Sequence, residues 1–205
     1  FQGVKMINTL QKETLQFLKE LKKNNNRQWF TRNKDFYLES LSDFTHLVER
    51  VILGIAKFDE SVLELEPKKC LFRIYRDTRF AKDKSPYKTN FGAHINMGGK
   101  KSDKAGYYLH VEPGESFIGG GLYHPCSERL NQVRQKISRE GAQFKKIINT
   151  KSFKDTFELW GDQLKTCPKG FEKDDPMVEY LRYKDYVLLH SVPDKGVVAR
   201  SFDTY

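Results

Sequence analysis

Hydrophobic positions near the start of the chain repeat at the spacing of an α-helix. Residues 9–23 place apolar and small side chains on one face and lysines on the other, which predicts an amphipathic helix. The inner face is expected to carry Thr14, Phe17 or Leu18, and Leu21. A longer stripe over residues 35–57 advances by four and three positions in turn, through Tyr37, Leu41, Phe44, Val48, Val51 and Ile55. We expect this longer helix to pack on a sheet, because the stripe is short for a coiled-coil seam.

A polar break separates these two helices. Three consecutive asparagines at positions 24–26 end the first helix. Asn26 is placed to cap a short helix that carries Trp29 and Phe30. The first quarter of the chain is therefore predicted to be helical.

The hydrophobic period changes from that of a helix to that of a strand near residue 70. Residues 70–75 alternate, with Phe72 and Ile74 on one face and Arg73 and Tyr75 on the other. Similar runs cover residues 90–97, 106–112 and 116–123. Their separators, GGKKSD and PGE, have the composition of hairpin turns. Consecutive strands with such short connections predict an antiparallel sheet.

Helical and strand patterns alternate in the last third of the chain. A helix is predicted from Pro125 to about Arg139, with the proline in its first turn. The elements expected after it are a helix over 142–148, a hairpin over 157–165, a short helix over 176–183 and a strand over 186–192. This order predicts an α+β fold, in which the N-terminal helices pack on a central antiparallel sheet and further helices and a hairpin follow.

The length of 205 residues is sufficient for one domain with its own core. Phe1, Gln2 and Gly3 match the end of a protease-cleavage tag, so the expected single domain covers residues 4–205. The chain stops at Tyr205 without a helix-ending signal. A final helix is therefore expected to be missing or disordered.

The formal net charge of +9 is concentrated in one part of the chain. Residues 67–110 contain eleven Lys and Arg residues against three acids, whereas residues 111–205 are almost balanced. A local excess of positive charge indicates an anionic partner that binds at a defined place. The contents of 38% hydrophobic and 31% charged residues are typical of a globular protein with a well-solvated surface.

The remaining composition bears on the compartment. No apolar run reaches eighteen residues and no signal peptide is visible, so a membrane partner is not expected. Cys70, Cys126 and Cys167 form no C-x-x-C pair, which disfavours a zinc ribbon or a disulfide framework. A reducing, cytoplasmic location is therefore expected.

The most unusual stretch is the block of residues 73–88, where six Lys and Arg residues accompany two acids. From Arg73 to Tyr87 it reads R-x-x-R-D-x-R-F-x-x-x-K-x-P-Y. This pattern resembles the signature of a conserved bacterial family of unknown function that is also found in fungi. The segments FLKELKKNNNRQWF (17–30) and GGGLYHP (119–125) resemble two further blocks of that family. The resemblance covers essentially the whole chain and implies no particular activity, because the family has none established.

The side chains of this block suit an anion. Arginine binds phosphate or carboxylate through two parallel hydrogen bonds, and several arginines together form a site for a dianion. We expect the anion to be held by Arg73, Arg76, Arg79, Lys84 and Tyr87. The tyrosine contributes a hydroxyl if the chain folds back at the Ser85–Pro86 turn.

Asp77 is the candidate catalytic residue of the block. It could orient an arginine, act as a general base or hold a metal. The alternative is a structural ion network in which Asp77 locks two arginines. Against a purely structural role, four positive charges remain after the two acids are paired, and an unpaired buried cation is costly.

The glycine-rich end of the 116–123 strand is a second candidate element. Gly120 and Gly121 leave backbone that a phosphate can approach, ahead of the helix predicted to begin at Pro125. The alternative for such glycines is a bulge or a tight crossing within the sheet. His124 follows them and is the preferred histidine for general acid–base catalysis.

Histidines also occur in two neighbouring predicted strands. His94, His110 and Glu112 could compose a metal site if they faced one side of the sheet. Nothing in the spacing fixes that geometry, so satisfied or surface histidines are preferred and no metal site is predicted.

Three functions remain open from the sequence. The first is a site for a phosphate-containing small molecule, with or without catalysis, in which electrostatic stabilisation would be the main catalytic contribution. The second is a nucleic-acid-binding module, because aromatic residues interleave with the cations of the block, as in Phe72, Tyr75, Phe80, Tyr87 and Phe91. The third is a structural or interaction domain with an internal Arg–Asp network. The reaction, the cofactor and the oligomeric state are left undetermined.

Overall fold

A computed structural model describes residues 10–100 and 102–198. The tag-like residues 1–3 and the first residue of the helix predicted over 9–23 lie outside this part, as does the C-terminal segment where a final helix was considered. The expectation of a single domain over 4–205 stays a prediction.

The described residues alternate between helices and strands in an α+β arrangement. The helices are α1 (Lys12–Lys23), α2 (Arg27–Arg32), α3 (Lys34–Ile55), α4 (Pro67–Cys70), α5 (Ser127–Arg139), α6 (Gly141–Ile148), α7 (Lys151–Thr156), α8 (Val178–Leu181) and α9 (Asp194–Val197). The strands are β1 (Phe91–Ile95), β2 (Gly106–Val111), β3 (Phe117–Leu122), β4 (Glu158–Trp160) and β5 (Tyr186–Ser191). A single 3₁₀ turn, Glu60–Val62, interrupts the acidic stretch after α3 within the described part.

The N-terminal helices form as their sequence predicts. The side chain of Asn26 accepts a hydrogen bond from the backbone N–H of Trp29 at 2.9 Å, so it caps α2. Helix α1 buries the predicted face, and α3 buries most of its stripe together with Leu47 and Ile52. The ring of Phe44 stacks on that of Phe91 in β1, with centroids 5.3 Å apart. The expectation that the long helix packs on the sheet is confirmed.

The strands form one antiparallel sheet in the order β1-β2-β3-β5-β4. Strand β4 pairs with β5 in a register that sets Glu158 opposite Leu189 and Trp160 opposite Val187. The first three strands follow the chain order, because short turns connect them. The predicted α+β class with a central antiparallel sheet is confirmed.

The chain divides into two compact units, each with its own apolar interior. Of the described residues, one unit comprises 10–100, 108–118 and 191–198, and its buried aromatic residues include Phe17, Phe44 and Phe91. The other comprises 102–107 and 119–190, and its interior is built around Ile137, Met177 and Leu181.

Some predicted elements differ from the structure. No strand forms over residues 70–75: α4 ends at Cys70, and the extended chain after it makes only isolated bridges, from Leu71 to Ala93 and from Tyr75 to Tyr87. Pro67 favours the short helix, because proline is favourable in the first turn of a helix. The acidic residues before it gave no signal for where a strand would begin. The segment predicted as a hairpin over 157–165 instead pairs with β5, which lies further along the chain.

Two smaller differences concern helix starts. Pro125 precedes Cys126, which is the N-cap residue of α5, so the proline lies outside the first turn. Helices α7 and α9 were not predicted, since each has too few residues for a hydrophobic period to develop. In the part of the chain that the structure describes, no helix is long and apolar enough to cross a membrane.

Candidate functional site

The Arg-rich block turns back on itself. The backbone N–H of Arg76 donates to the carbonyl oxygen of Pro86 at 2.9 Å, and that of Lys88 donates to Ile74 at 2.8 Å. Tyr75 and Tyr87 face each other in the antiparallel bridge between these bonds. The fold-back at the Ser85–Pro86 turn is therefore present. Because of it, the strand alternation predicted for residues 70–75 does not extend into the rest of the block.

A pocket of about 440 Å³ opens beside this fold-back. Its polar lining comes from α1, from the segment after α1 and from residues 76–90. The chain segments are joined at Asn25, whose side-chain amide donates to the carbonyl oxygen of Tyr87 at 2.9 Å and accepts from its N–H at 3.1 Å. An asparagine amide that matches a backbone amide in this way fixes the α1 end of the pocket to the block.

Tyr87 forms one wall of the pocket. Its ring stacks on Phe30 with centroids 4.0 Å apart, and its side chain is almost fully buried. Burial, followed by the neighbouring Tyr75, raises the pKa of the Tyr87 hydroxyl above its usual value. The hydroxyl therefore remains protonated at neutral pH and keeps its ability to donate a hydrogen bond.

Cations outnumber acids in the lining. Lys22, Arg76 and Lys88 contribute positive charge, and Asp83 is the acid of the described lining. Burial lowers the pKa of the half-buried Lys88 amine, and the nearby cations of Arg73 and Lys100 lower it further.

Lys88 is held beside an aromatic ring rather than an acid. Its amine lies 5.3 Å from the ring centroid of Phe72, and the amine of Lys100 lies 5.6 Å from the same centroid. Among the ion pairs of the described residues, none involves Lys88. The cation–π contact contributes only about 0.5–1 kcal/mol at a partly exposed site. The charge of Lys88 is thus weakly compensated.

Arg76 pairs with Asp83 at the pocket. The guanidinium donates to the Asp83 carboxylate and to the carbonyl oxygen of Ser85, the latter at 3.2 Å. The other carboxylate oxygen of Asp83 accepts from the backbone N–H and the hydroxyl of Ser85, at 2.9 and 2.6 Å. These bonds from Ser85, together with the Arg76 cation, hold the pKa of Asp83 well below its usual range.

Glu112 and His110 form a polar network that contacts the pocket residues Lys22, Thr89 and Asn90. One oxygen of Glu112 accepts from the hydroxyl of Thr89 at 2.7 Å and lies 3.4 Å from the amine of Lys22. Its second oxygen lies 3.2 Å from a ring nitrogen of His110, whose other ring nitrogen is 3.4 Å from the Asn90 amide. Burial raises the pKa of Glu112, but these hydrogen bonds and the Lys22 charge outweigh it, so that the pKa is lowered overall.

Residues 77–82, here called the loop tip, carry Asp77 and Arg79, two of the other charged residues predicted for the site. Arg79 grips Asp77 through two guanidinium nitrogens, at 2.6 and 3.0 Å, and this pair is exposed to solvent. The amine of Lys84 donates to the carbonyl oxygens of Thr78 and Arg79 at 2.9 and 3.4 Å. Lys84 therefore stabilises the loop.

The structure brings some predicted site residues together at the pocket and leaves others outside its lining. Arg76 and Tyr87 line the pocket. The lining does not include Arg73, Asp77, Arg79 or Lys84. Each acid of the block pairs with one arginine, so the network in which Asp77 locks two arginines does not form.

Gly120, Gly121 and His124 belong to the second compact unit. Gly121 has a φ of +129°, and a Cβ there would clash with the carbonyl oxygen of Tyr186 in β5. The close approach at these glycines is thus between two strands, which favours the structural alternative.

His124 has an unusual backbone. It is the non-glycine residue of the described chain with a positive φ, at +47°. Its N–H donates to a carboxylate oxygen of the buried Asp185 at 2.5 Å, and a ring nitrogen lies 3.7 Å from the same oxygen. Its side chain is exposed, and its catalytic role stays a prediction. Burial lowers the pKa of His94, and no group of three or more His, Cys, Asp or Glu residues suited to a metal occurs in the described residues.

Several lining residues were missed by sequence reasoning. They are Lys22, Asn25, Asp83, Ser85, Lys88, Thr89 and Asn90. Lys22 and Asn25 lie inside the segment FLKELKKNNNRQWF, which was noted only as a resemblance. The available signal was the run of lysines and asparagines at the end of an amphipathic helix, because these polar side chains are not needed to form its buried face.

These features define an α+β protein with a cation-lined surface pocket. The chain belongs to the family described as Conserved hypothetical protein (DUF2461), whose profile matches residues 13–204. The resemblance to a conserved family of unknown function is confirmed. No curated protein and no solved structure matches the chain.

Proposed function

We propose that the pocket binds the phosphate group of a small molecule. The observation that carries this proposal is Lys88, a half-buried amine that lines the pocket, lies 5.3 Å from the ring centroid of Phe72 and forms no ion pair among the described contacts. Its pKa is lowered by burial and by the cations of Arg73 and Lys100. A bound dianion would supply the compensating charge and would raise the pKa of the amine. Scaffold residues rarely keep a weakly compensated cation in a partly buried place.

The other lining groups suit a phosphate. The guanidinium of Arg76 offers planar paired donors, the amine of Lys22 adds a point charge, and the hydroxyl of Tyr87 adds a neutral donor. The amides of Asn25 and Asn90 widen the set of donors without adding charge. Phosphate has several acceptor oxygens and a charge of about −1.5 to −2 at neutral pH, so it can use these donors together.

Catalysis is a separate part of the proposal. Asp77 is bonded to Arg79 and its pKa is lowered, first by the hydrogen bonds from Arg79, so it is a weak base. His124 keeps an exposed ring next to the Asp185 carboxylate, which supports an acid–base role in its own unit. Anion binding by Gly120 and Gly121 and a cytoplasmic location stay predictions, and whether the protein is an enzyme is left open.

The proposal is tested by calorimetric titration of inorganic phosphate at constant ionic strength. Wild-type protein is expected to show saturable one-site binding, and Lys22→Met is expected to weaken it about fivefold, as for loss of an ion pair of about 1 kcal/mol. Lys23→Met is the matched control, since Lys23 is the exposed neighbour on α1 and does not line the pocket. Absence of saturable binding to the wild type, or equal weakening by both variants, would contradict the proposal.

A second candidate, binding of single-stranded nucleic acid, is favoured by the aromatic residues around the block. Phe80 is 95% exposed at the loop tip, and Tyr75 and Phe72 are also exposed. The cation of Arg79 lies 6.0 Å from the centroid of the Phe80 ring. Tyr87 and Phe91 are buried, so only part of the predicted stacking surface is accessible.

Salt dependence separates the two candidates. Contact with five or six phosphates of a single strand predicts a log–log slope of about −3.5 to −4.2 for the affinity against salt concentration. Phe80→Ala is expected to weaken such binding, because base stacking contributes about 1–3 kcal/mol for each base. No binding of single-stranded RNA or DNA at low salt would exclude this second candidate.

A further inference from the structure

The pocket already contains an anion that the chain itself supplies. The carboxylate of Asp83 pairs with the guanidinium of Arg76, and both residues line the pocket. We propose that Asp83 is a built-in competitor, and that the phosphate group of the ligand binds at Arg76 by displacing this carboxylate. The inference rests on the proposed function and adds to it the principal anion subsite and the step that opens it.

The carboxylate is presented to Arg76 by a short local tether. One oxygen of Asp83 is held by the N–H and the hydroxyl of Ser85, which directs the other oxygen to the guanidinium. A group tethered within a few residues acts at an effective concentration in the millimolar range or above. An incoming anion must therefore outcompete Asp83 before it gains the full strength of Arg76.

Release of Asp83 needs little rearrangement. Its side chain is 63% exposed, whereas that of Arg76 is 28% exposed. The Asp83 carboxylate is therefore already largely hydrated, and its displacement buries no charge. Arg76 stays anchored by its bond to the carbonyl oxygen of Ser85. Lys84 holds the loop tip through two carbonyl oxygens, so the change is confined to the Asp83 side chain and its turn.

The same competition selects among anions. Hydrogen bonds from Ser85, and then Arg76, keep the pKa of Asp83 below its usual range, so the competitor is ionised at neutral pH. A monocarboxylate such as acetate brings one negative charge, the same as the tethered group. Phosphate brings more charge and more acceptor oxygens, and can contact Lys88 as well as Arg76. The pocket is therefore expected to prefer phosphate to acetate while Asp83 is in place.

A matched control lies six residues earlier in the same loop. Asp77 pairs with Arg79, as Asp83 pairs with Arg76, but neither Asp77 nor Arg79 lines the pocket. Asp77→Asn and Asp83→Asn remove the same charge from the same loop. A general gain in positive charge would affect phosphate binding equally in both variants, whereas release of a competitor would affect it only in Asp83→Asn.

Inorganic phosphate and acetate are titrated by calorimetry into the wild type, Asp83→Asn and Asp77→Asn at constant ionic strength. Asp83→Asn is expected to bind phosphate about tenfold more tightly than the wild type, as when the binding-competent fraction rises from about a tenth to nearly all molecules. Asp77→Asn is expected to stay within about twofold of the wild type. Acetate binding is expected to become measurable only in Asp83→Asn.

Each other outcome has a defined meaning. Unchanged or weaker phosphate binding by Asp83→Asn, or equal tightening in both variants, overturns the competitor while wild-type binding would still uphold the proposed function. No phosphate binding by the wild type or either variant overturns both. If Asp83→Asn fails to fold, Ser85→Ala removes one of the bonds that hold the carboxylate and is expected to tighten phosphate binding about twofold to threefold. No tightening in Ser85→Ala would then overturn the competitor.

Discussion

Two Arg–Asp pairs from one short motif have different surroundings. Arg76 and Asp83 lie at the pocket, where the guanidinium is mostly covered and Ser85 organises the carboxylate. Arg79 and Asp77 lie at the loop tip, where the arginine side chain is 77% exposed. Exposed ion pairs contribute little to stability, because water screens them and ordering two long side chains costs entropy. Burial and neighbouring groups therefore distinguish a candidate site from a surface pair, although the residue types are the same.

The largest expected effect separates the two arginines. Arg76→Ala should weaken inorganic phosphate binding about tenfold to a hundredfold, because it removes a charge-assisted hydrogen bond of about 1.5–3 kcal/mol and leaves Asp83 facing the anion. Arg79→Ala should leave both phosphate affinity and melting temperature essentially unchanged. Calorimetry and thermal unfolding measure the two quantities. If both variants unfold the protein, the block is scaffold and the comparison fails.

A second contrast compares two lysines of the block. Lys88→Met should weaken phosphate binding about fivefold, as for an ion pair of about 1 kcal/mol. It should also leave the melting temperature equal or higher, because a lowered lysine pKa means that the folded state disfavours the charged form. Lys82→Met, at an exposed position of the loop tip, should change neither quantity. A clear fall in stability in Lys88→Met would show that the cation is structural.

The network of Glu112 and His110 should make a pH-dependent contribution to stability. The pKa of Glu112 is lowered from an ordinary value of 4.5. Its contribution to stability is therefore present above about pH 4.5 and is lost as the pH falls through the lowered folded pKa. At pH 7, Glu112→Gln should reduce the free energy of unfolding by about 1.5–3 kcal/mol, the range for hydrogen bonds to a charged group.

Denaturant unfolding of both proteins between pH 3 and pH 7 measures this effect. The difference between the wild type and Glu112→Gln should shrink towards acid pH. A difference that stays constant over the whole range would contradict the ionised role of Glu112. Glu115→Gln serves as a control, since Glu115 is an exposed acid close in sequence that forms no ion pair among the described contacts.

The smallest expected effect is at the loop tip. Phe80 is almost fully exposed, so Phe80→Ala should leave phosphate affinity unchanged and the melting temperature within about 1–2 °C. A loss of phosphate binding in this variant would show that the loop tip and the pocket act together, which the comparison does not predict.

The helices before residue 58 and the four main strands could be predicted because their hydrophobic periods extend over enough residues. The Arg-rich block was recognised from its charge, but its shape depended on the pairing of Ile74 and Arg76 with Lys88 and Pro86. Local alternation does not contain that information, because a fold-back is decided by contacts between distant residues. The pairing of β4 with β5 was missed for the same reason.

Only part of the pocket lining could be predicted from the sequence. Arg76 and Tyr87 could be proposed from the motif, whereas Lys22 and Asn25 come from a helix end more than fifty residues earlier in the chain. The Asn25–Tyr87 amide pair that joins these segments is a tertiary contact. The division of the cations between pocket and loop tip likewise follows from which acid each arginine meets.

The most direct test of the central claim is the pKa of the Lys88 amine, measured by NMR of the labelled lysine side chain with and without inorganic phosphate. We expect a lowered pKa for Lys88 without phosphate and a clear rise at saturating phosphate, while the side-chain signal of the control residue Lys82 stays unchanged on adding phosphate. An unchanged pKa of Lys88 in the presence of phosphate would contradict anion binding at this pocket.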